Sequence, residues 1–282
     1  MVTARWQQRR GWRAVDPLRA MAPIGQTRGM FIATDDCLLR SVAFGPATTP
    51  VLALNGWSAS WEAWQPTFEV LSTTTRCISY DTRGTGNSPA APATITLTTL
   101  VDDVFRVLDA HGVQRCVLAG ESLGGFVAMH AVLRDPSRFT ALVTVGSPPE
   151  IGPPEQHPLV IGARANYRAT VDAFVSMCFN EPDTEHLHPW GAQLFLSADP
   201  ECAARLLEMG AGFPADCAAI TVPTVVVHGD IDGVVPFAVG EHLASAIPGA
   251  RLVRLEGAGH APTVTRPLEM ADLLRGLAIS TS

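Results

Sequence analysis

The sequence predicts an α/β protein: a mainly parallel sheet with flanking helices and one long helical insertion. Short apolar, β-branched runs bounded by turn residues recur at 51–54, 77–80, 115–119, 141–145, 224–228 and 251–255, as expected of strands buried on both faces. Helical patterns fall between them at 97–111, 123–134 and 236–247; the first places Leu97, Leu100, Val101, Val104, Val107 and Leu108 on one face. Strands alternating with helices need crossover connections, which are right-handed and leave the strands parallel. Between 148 and 220 this rhythm stops, which marks the insertion.

At the start of the regular region, 30–34 and 38–44 flank Asp35-Asp36 and read as an antiparallel hairpin at one sheet edge. Trp61 and Trp64, just beyond the strand at 51–54, are expected to pack a helix on the sheet. Pro148, Pro149, Pro153, Pro154 and Pro158 crowd the beginning of the insertion, and helical pieces follow at 169–179 and 202–209. Such a segment is expected to cap the C-terminal edge of the sheet, where open α/β sheets bind ligands. The expected organisation is therefore a basic tail at 1–29, a first core segment at 30–147, a helical cap at 148–220 and a second core segment at 221–282.

Composition narrows the function classes. With 282 residues, 47% of them apolar and only 17% charged, the chain buries a large core and is not a disordered protein. Its formal charge of -7 argues against nucleic acid as a partner. All the basic residues are arginine, and Arg5, Arg9, Arg10, Arg13, Arg19 and Arg28 crowd the first segment against the single acid Asp16. No apolar stretch follows them that would make a secretory signal, and none elsewhere reaches membrane-spanning length. The segment is read as a dispensable basic tail, or as upstream of a true start at Met21 or Met30. Six cysteines lack Cys-x-x-Cys spacing and read as small core residues of a protein in a reducing, cytoplasmic compartment. His186-Leu187-His188, with His157 before it, matches no metal-ligand spacing, and no cofactor motif is present, so neither metal nor cofactor is expected. A homo-oligomer is compatible with this composition.

The chemistry centres on the segment 116–125, an apolar run ending in Gly120-Glu121-Ser122-Leu123-Gly124 and leading into a helical pattern. A serine on a sharp strand-to-helix turn has its hydroxyl pushed outward, and the turn needs left-handed backbone or close approach, hence small residues around it. Leu123 opens the helix, whose free N–H groups and positive dipole end suit a developing oxyanion. A serine hydroxyl needs a histidine base, itself oriented by a carboxylate. Asp230 and Asp232 follow the strand at 224–228, and His260 lies in a Gly-flanked loop after the last strand. His228 reads as a core histidine, and His111, His130 and His242 sit on amphipathic helices.

From about Phe31 to Leu277 the chain resembles the α/β-hydrolases, whose order of Ser, then acid, then His it repeats with Ser122, Asp232 and His260. Within them it is similar to cofactor-free haloperoxidase-type esterases and enol-lactone hydrolases, which share the turn Asp81-Thr82-Arg83-Gly84-Thr85-Gly86-Asn87-Ser88. That turn is structural in the family. The resemblance implies an eight-stranded, mostly parallel sheet. The family acid stands three residues after a strand-terminal glycine and four before a proline, so Gly229 and Pro236 indicate Asp232, leaving Asp230 as a turn residue. It further implies an oxyanion hole from the backbone N–H groups of Trp57 and Leu123. Most relatives carry His-Gly where this chain has Asn55-Gly56, and Asn55 reads either as a pocket residue or as a loop-fixing side chain.

Asn55, Glu121, Phe174 and Trp190 are the candidate pocket residues, and Phe179, Phe195 and Met177 add to the apolar character of the cap. The expected activity is hydrolysis of a small, mostly apolar ester or lactone through an acyl-enzyme on Ser122. Carbon–carbon bond hydrolysis, acyl transfer and perhydrolysis by the same residues remain open, as does a slow or non-catalytic ligand sensor. Haloalkane dehalogenases and epoxide hydrolases are excluded, since they carry aspartate where this chain has Ser122.

Overall fold

A computed structural model of the chain describes residues 28–46 and 48–280. The basic segment predicted at 1–29 falls, up to residue 27, outside the described residues. Eight strands form one sheet: β1 (Arg28–Ala33), β2 (Leu38–Phe44), β3 (Val51–Leu54), β4 (Cys77–Tyr80), β5 (Cys116–Glu121), β6 (Phe139–Val145), β7 (Thr224–Gly229) and β8 (Arg251–Leu255). Their order is β1-β2-β4-β3-β5-β6-β7-β8. β1 and β2 are the expected antiparallel edge hairpin, β2 also pairs antiparallel with β4, and the remaining pairs are parallel.

The helices are α1 (Gln65–Leu71), α2 (Leu97–Ala110), α3 (Leu123–Arg134), α4 (Pro158–Cys178), α5 (His188–Phe195), α6 (Pro200–Glu208), α7 (Phe237–Ala246), α8 (Pro262–Thr265) and α9 (Pro267–Ser280). Alternation along the strands divides the core into two layers. Leu52, Leu54, Cys116 and Leu118 face a cluster completed by α2, α3, α7 and the helices between β6 and β7. Val51, Ala53, Val117 and Ala119 face the other layer, closed by Phe68 and Leu71 of α1 and by Met270, Ala271 and Leu274 of α9.

Several boundaries differ from the sequence expectation. β5 runs on through Glu121, because Gly120 and Glu121 continue the parallel ladder with Thr144 and Val145. The helical piece expected at 169–179 belongs to the longer α4, which breaks at Asn166 (φ -159, ψ 85) and so blurs its periodicity. Between β6 and β7 stand α4, α5 and α6, with no strand among the described residues.

The connections put the site where the topology turns. From β3 the chain moves outward to β4 on one side; after β5 it moves to β6 on the other. The C-terminal ends of the neighbours β3 and β5 therefore border a crevice that no crossover covers, the usual ligand position in such sheets. The Asp81–Ser88 turn braces this region. Buried Arg83 donates from Nε and Nη2 to the two Asp103 oxygens, at 2.7 and 2.8 Å, and reaches Asp36 with Nη1 at 2.9 Å. Among the described residues no helix is long and apolar enough to cross a membrane.

Candidate active site

Ser122 sits between β5 and α3 with φ 51 and ψ -119, a left-handed conformation rare for a residue with a side chain. Backbone strain of this kind persists only where its surroundings hold it. Ser122 N–H donates to Val145 O at 2.7 Å, and its carbonyl accepts from Gly125 and Phe126 in the first turn of α3. The glycines of the motif serve close approach. A Cβ on Gly120 would lie 2.4 Å from Gly124 O, and one on Gly124 2.5 Å from Leu54 O. With no side chains there, α3 packs directly on the ends of β3 and β5.

His260 follows β8 in a loop that enters α8. Its Nδ1 lies 2.8 Å from Asp232 Oδ2, and its backbone N–H donates to Cys178 O at 3.2 Å. Its Nε2 is buried and has no hydrogen-bond partner among the described residues. Asp232 Oδ1 accepts the N–H groups of Val234 and Val235, each at 2.8 Å, so the acid is locked by its own loop. Asp230 is committed elsewhere: it accepts Gly257 N–H and pairs with Arg254, which fixes the turn. Close approach again matters, since a Cβ on Gly229 would meet Ala258 O at 2.2 Å.

Burial raises the pKa of Asp232, but the His260 charge and the hydrogen bonds from His228, His260 and Val235 outweigh it and hold the carboxyl well below the usual range. For His260, burial pulls downward while the charge and hydrogen bond of Asp232 and the charge of Glu121 pull upward; the net direction is up. Glu121 is pushed up to about 7 by burial, against the opposing effects of His260 and the Thr263 hydroxyl. Thr263 Oγ1 donates to Glu121 Oε1 at 3.0 Å and ties this carboxyl to the histidine segment.

Two cavities meet at Ser122. The inner one, 30 Å³, is lined by Ser122, His260, Glu121, Phe174, Trp190 and Trp57 among others. The outer one, 420 Å³, shares Ser122, Trp57 and Phe174 and continues beneath the helices between β6 and β7. Glu121, Phe174 and Trp190, the candidate pocket residues, line the inner cavity, and Phe174 lines the outer one as well. Of the two roles open to Asn55, the contacts are those of loop fixing: it lines neither cavity at Ser122. Its amide donates to Tyr80 O at 2.7 Å and its carbonyl accepts from Ser79 at 3.4 Å, so it ties the β3 loop to β4. That loop bears Gly56, whose hypothetical Cβ would stand 3.5 Å from Ser122 Cβ, and then Trp57, whose indole donates to Ala203 O of α6 at 2.7 Å. Leu123 is the first residue of α3, and first-turn N–H groups have no intrahelical acceptor.

Three contacts of the site are not legible in the sequence reading above. His228 Nε2 lies 3.3 Å from Asp232 Oδ2, so this strand histidine contacts the acid as well as Val235 O. Glu181, buried after α4, accepts Gly259 N–H at 3.0 Å, accepts the Thr265 hydroxyl and pairs with Arg266, clamping the His260 loop. Gly146, φ 55, ends β6 against the acid and base; a Cβ there would be 3.1 Å from both Asp232 Oδ2 and His260 Nδ1. His228 had a signal in its i, i+4 spacing from Asp232 within a tight loop, whereas Glu181 and Gly146 are joined to the site only by the fold. The His186 and His188 rings bond to the backbone carbonyls of Asp183 and Phe179. The six cysteines are unpaired.

A family model described as the alpha/beta hydrolase fold matches residues 49–184. A protein of Variovorax paradoxus (strain S110) named as the carbamate hydrolase RutD is 32% identical over 78% of this chain and 88% of its own length. A pimeloyl-[acyl-carrier protein] methyl ester esterase of Aeromonas hydrophila is 28% identical over 82% of this chain and 95% of its own. Among solved structures, the enol-lactonase of Burkholderia xenovorans LB400 superposes with a TM-score of 0.81 at 25% identity, covering 89% of this chain and all of that one.

Proposed function

The chain belongs to the α/β-hydrolase family as an enzyme acting on ester bonds, and we propose that it cleaves a carboxylic ester or lactone of a small, mostly apolar substrate through an acyl-enzyme on Ser122. The observation that carries this reading is the state of His260: Nδ1 is held by Asp232, Nε2 is buried with no partner among the described residues, and the ring lines one cavity with Ser122. With Nδ1–H donated to a carboxylate, Nε2 keeps the lone pair that a general base needs.

In the proposed sequence His260 Nε2 takes the Ser122 proton as Oγ attacks the carbonyl carbon. The oxygen that becomes anionic accepts the backbone N–H groups of Trp57 and Leu123, each worth on the order of 3 kcal/mol in the transition state. Asp232 stabilises the imidazolium. His260 then protonates the departing alcohol, and water, deprotonated by the same nitrogen, releases the acid. Residues 148–220 act as the cap that selects the substrate, with Phe174 and Trp190 as its pocket side chains and Glu121 as the polar group of the inner cavity.

The test is labelling and turnover together. A fluorophosphonate is expected to modify Ser122, and Ser122→Ala is expected to lose at least about 10⁴-fold in kcat on an activated ester, leaving what the oxyanion donors alone provide. Turnover that persists in Ser122→Ala would end this reading. A panel of esters, lactones and carbamates then ranks the substrates.

A further inference from the structure

The two cavities at Ser122 differ in size, in their walls and in their access to the base. Both are bounded by Trp57 and Phe174, whose rings meet edge to face at 5.1 Å and 87°. Phe174 also packs on Phe195 at 5.2 Å, and the Trp57 indole is anchored to Ala203 O. Both rings are 2% exposed, so the wall between the cavities is a packed one. The inner cavity of 30 Å³ lies on the His260 side and is lined there by Phe179, Trp190 and Phe195. It holds about two or three water-sized groups, since about 10–15 Å³ of such space is enough for one water molecule. The outer cavity of 420 Å³ is lined by Ile151, Leu159, Met177, Leu207 and Val234, without His260. It falls within the roughly 300–1,000 Å³ of small-molecule sites.

Ester cleavage has a directional demand that these walls meet in one way. When the tetrahedral adduct collapses, the carbon–oxygen bond to the alcohol breaks and the alcohol oxygen takes the proton that His260 Nε2 received from Ser122. The alcohol must therefore leave on the side where His260 stands, and the acyl group, bound to Ser122 Oγ, occupies the other side. Water later takes the alcohol's place, returns its proton through His260 and releases the carboxylic acid.

We infer that the substrate is an ester of a very small alcohol, methyl or ethyl, carrying a bulky apolar acyl group: the alcohol fills the inner cavity and the acyl chain the outer one. This rests on the acyl-enzyme reading above and fixes which end of the ester is large. The acyl chain extends along Leu159 and Met177 of α4, so the length limit lies in that helix, whereas Trp190 of α5 sets the alcohol limit.

Two isomers differing only in the direction of the ester test it: methyl octanoate and heptyl acetate. The wild-type kcat/KM for methyl octanoate is expected to exceed that for heptyl acetate by about tenfold or more, as pocket discrimination per methylene allows. Trp190→Ala is expected to raise the ratio of butyl to methyl octanoate, and Leu159→Trp to lower the ratio of methyl octanoate to methyl acetate, each by about tenfold. Equal or reversed preference between the isomers, or the two variants exchanging effects, overturns the assignment. Labelling of Ser122 by a fluorophosphonate separates the two levels. A labelled enzyme without the preference, or without turnover of methyl octanoate, loses this inference alone, while an unlabelled and inactive one loses the acyl-enzyme as well.

Discussion

Asp232 Oδ2 is shared by two histidines, standing 2.8 Å from His260 Nδ1 and 3.3 Å from His228 Nε2. The second contact has a defined proton. His228 Nε2 also lies 2.8 Å from Val235 O, an acceptor only, so the hydrogen is on Nε2 and is donated toward both oxygens. His228 is fully buried in β7, and the carboxylate it faces carries the charge that steadies His260.

Removing that donor has a calculable sign. In His228→Phe the Asp232 carboxylate loses one stabilising hydrogen bond and becomes a stronger partner for the His260 proton. The acid limb of kcat/KM is then expected to move to higher pH, and activity at pH 7 to fall about tenfold, the scale of one hydrogen bond to a charged group. His228→Gln, which restores an N–H, is expected to recover much of both effects. An unmoved limb in His228→Phe would reduce this histidine to packing.

The two acids of the loop after β7 are expected to separate cleanly. Asp232→Asn reverses the demand on His260 Nδ1 and favours the wrong tautomer, with an expected loss of about 10⁴-fold in kcat and little change in fold. Asp230→Asn keeps an acceptor for Gly257 N–H and weakens only the pairing with partly exposed Arg254, so kcat is expected to stay within about twofold. Steady-state kinetics on both variants decide it, and comparable losses would contradict the assignment.

Glu121 links activity and stability to pH. Its folded pKa, pushed up to about 7 from 4.5 by burial, means the folded chain holds a proton that the unfolded chain releases between those values. Stability from this group is therefore full below about pH 4.5 and is lost as pH rises toward 7. Glu121→Gln removes the dependence and keeps an acceptor for Thr263; it is expected to be more stable than wild type at pH 8 by about 3 kcal/mol, and no more stable at pH 4. Because ionised Glu121 raises the His260 pKa, the same variant should shift the acid limb of activity to lower pH. Denaturant melts at the two pH values and a pH–rate profile check both halves.

The sheet and the order of the three candidate catalytic residues could be read from the sequence because each has a local cause. Strands buried on both faces announce themselves as apolar runs, and Gly120, Gly124 and Gly229 stand where backbone meets backbone. α9 too carries a local signal, the buried stripe Met270, Ala271, Leu274 and Ala278 at helical spacing. The pocket was less legible. Asn55 has a side chain suited to either role, and only the position of Tyr80 O, 25 residues away, decides for loop fixing. Glu181 meets Gly259 across 78 residues, a pairing that no local pattern encodes. What α4, α5 and α6 contribute is set by tertiary contacts, so these helices are predictable in kind while the cavities they line are not.

Gly146 offers a test of how finely the fold positions the acid and base. Its φ of 55 strains any other residue, and a Cβ would lie 3.1 Å from Asp232 Oδ2 and His260 Nδ1 and 3.3 Å from His260 Cε1. Alanine there must push the pair, and displacement on the order of 1 Å at a reacting group can cost about 10²-fold in rate. Gly112 is the matched control: its φ is 66, but no atom of the described residues lies within 4 Å of a Cβ placed on it. Both alanine variants carry the same left-handed backbone cost, about 1 kcal/mol or a few degrees in Tm. Gly146→Ala alone is expected to lose at least about tenfold in kcat, with fluorophosphonate labelling of Ser122 slowed in parallel. Equal activity in the two variants would mean that the acid and base tolerate the added methyl group, and that the glycine at the end of β6 is required only by its backbone.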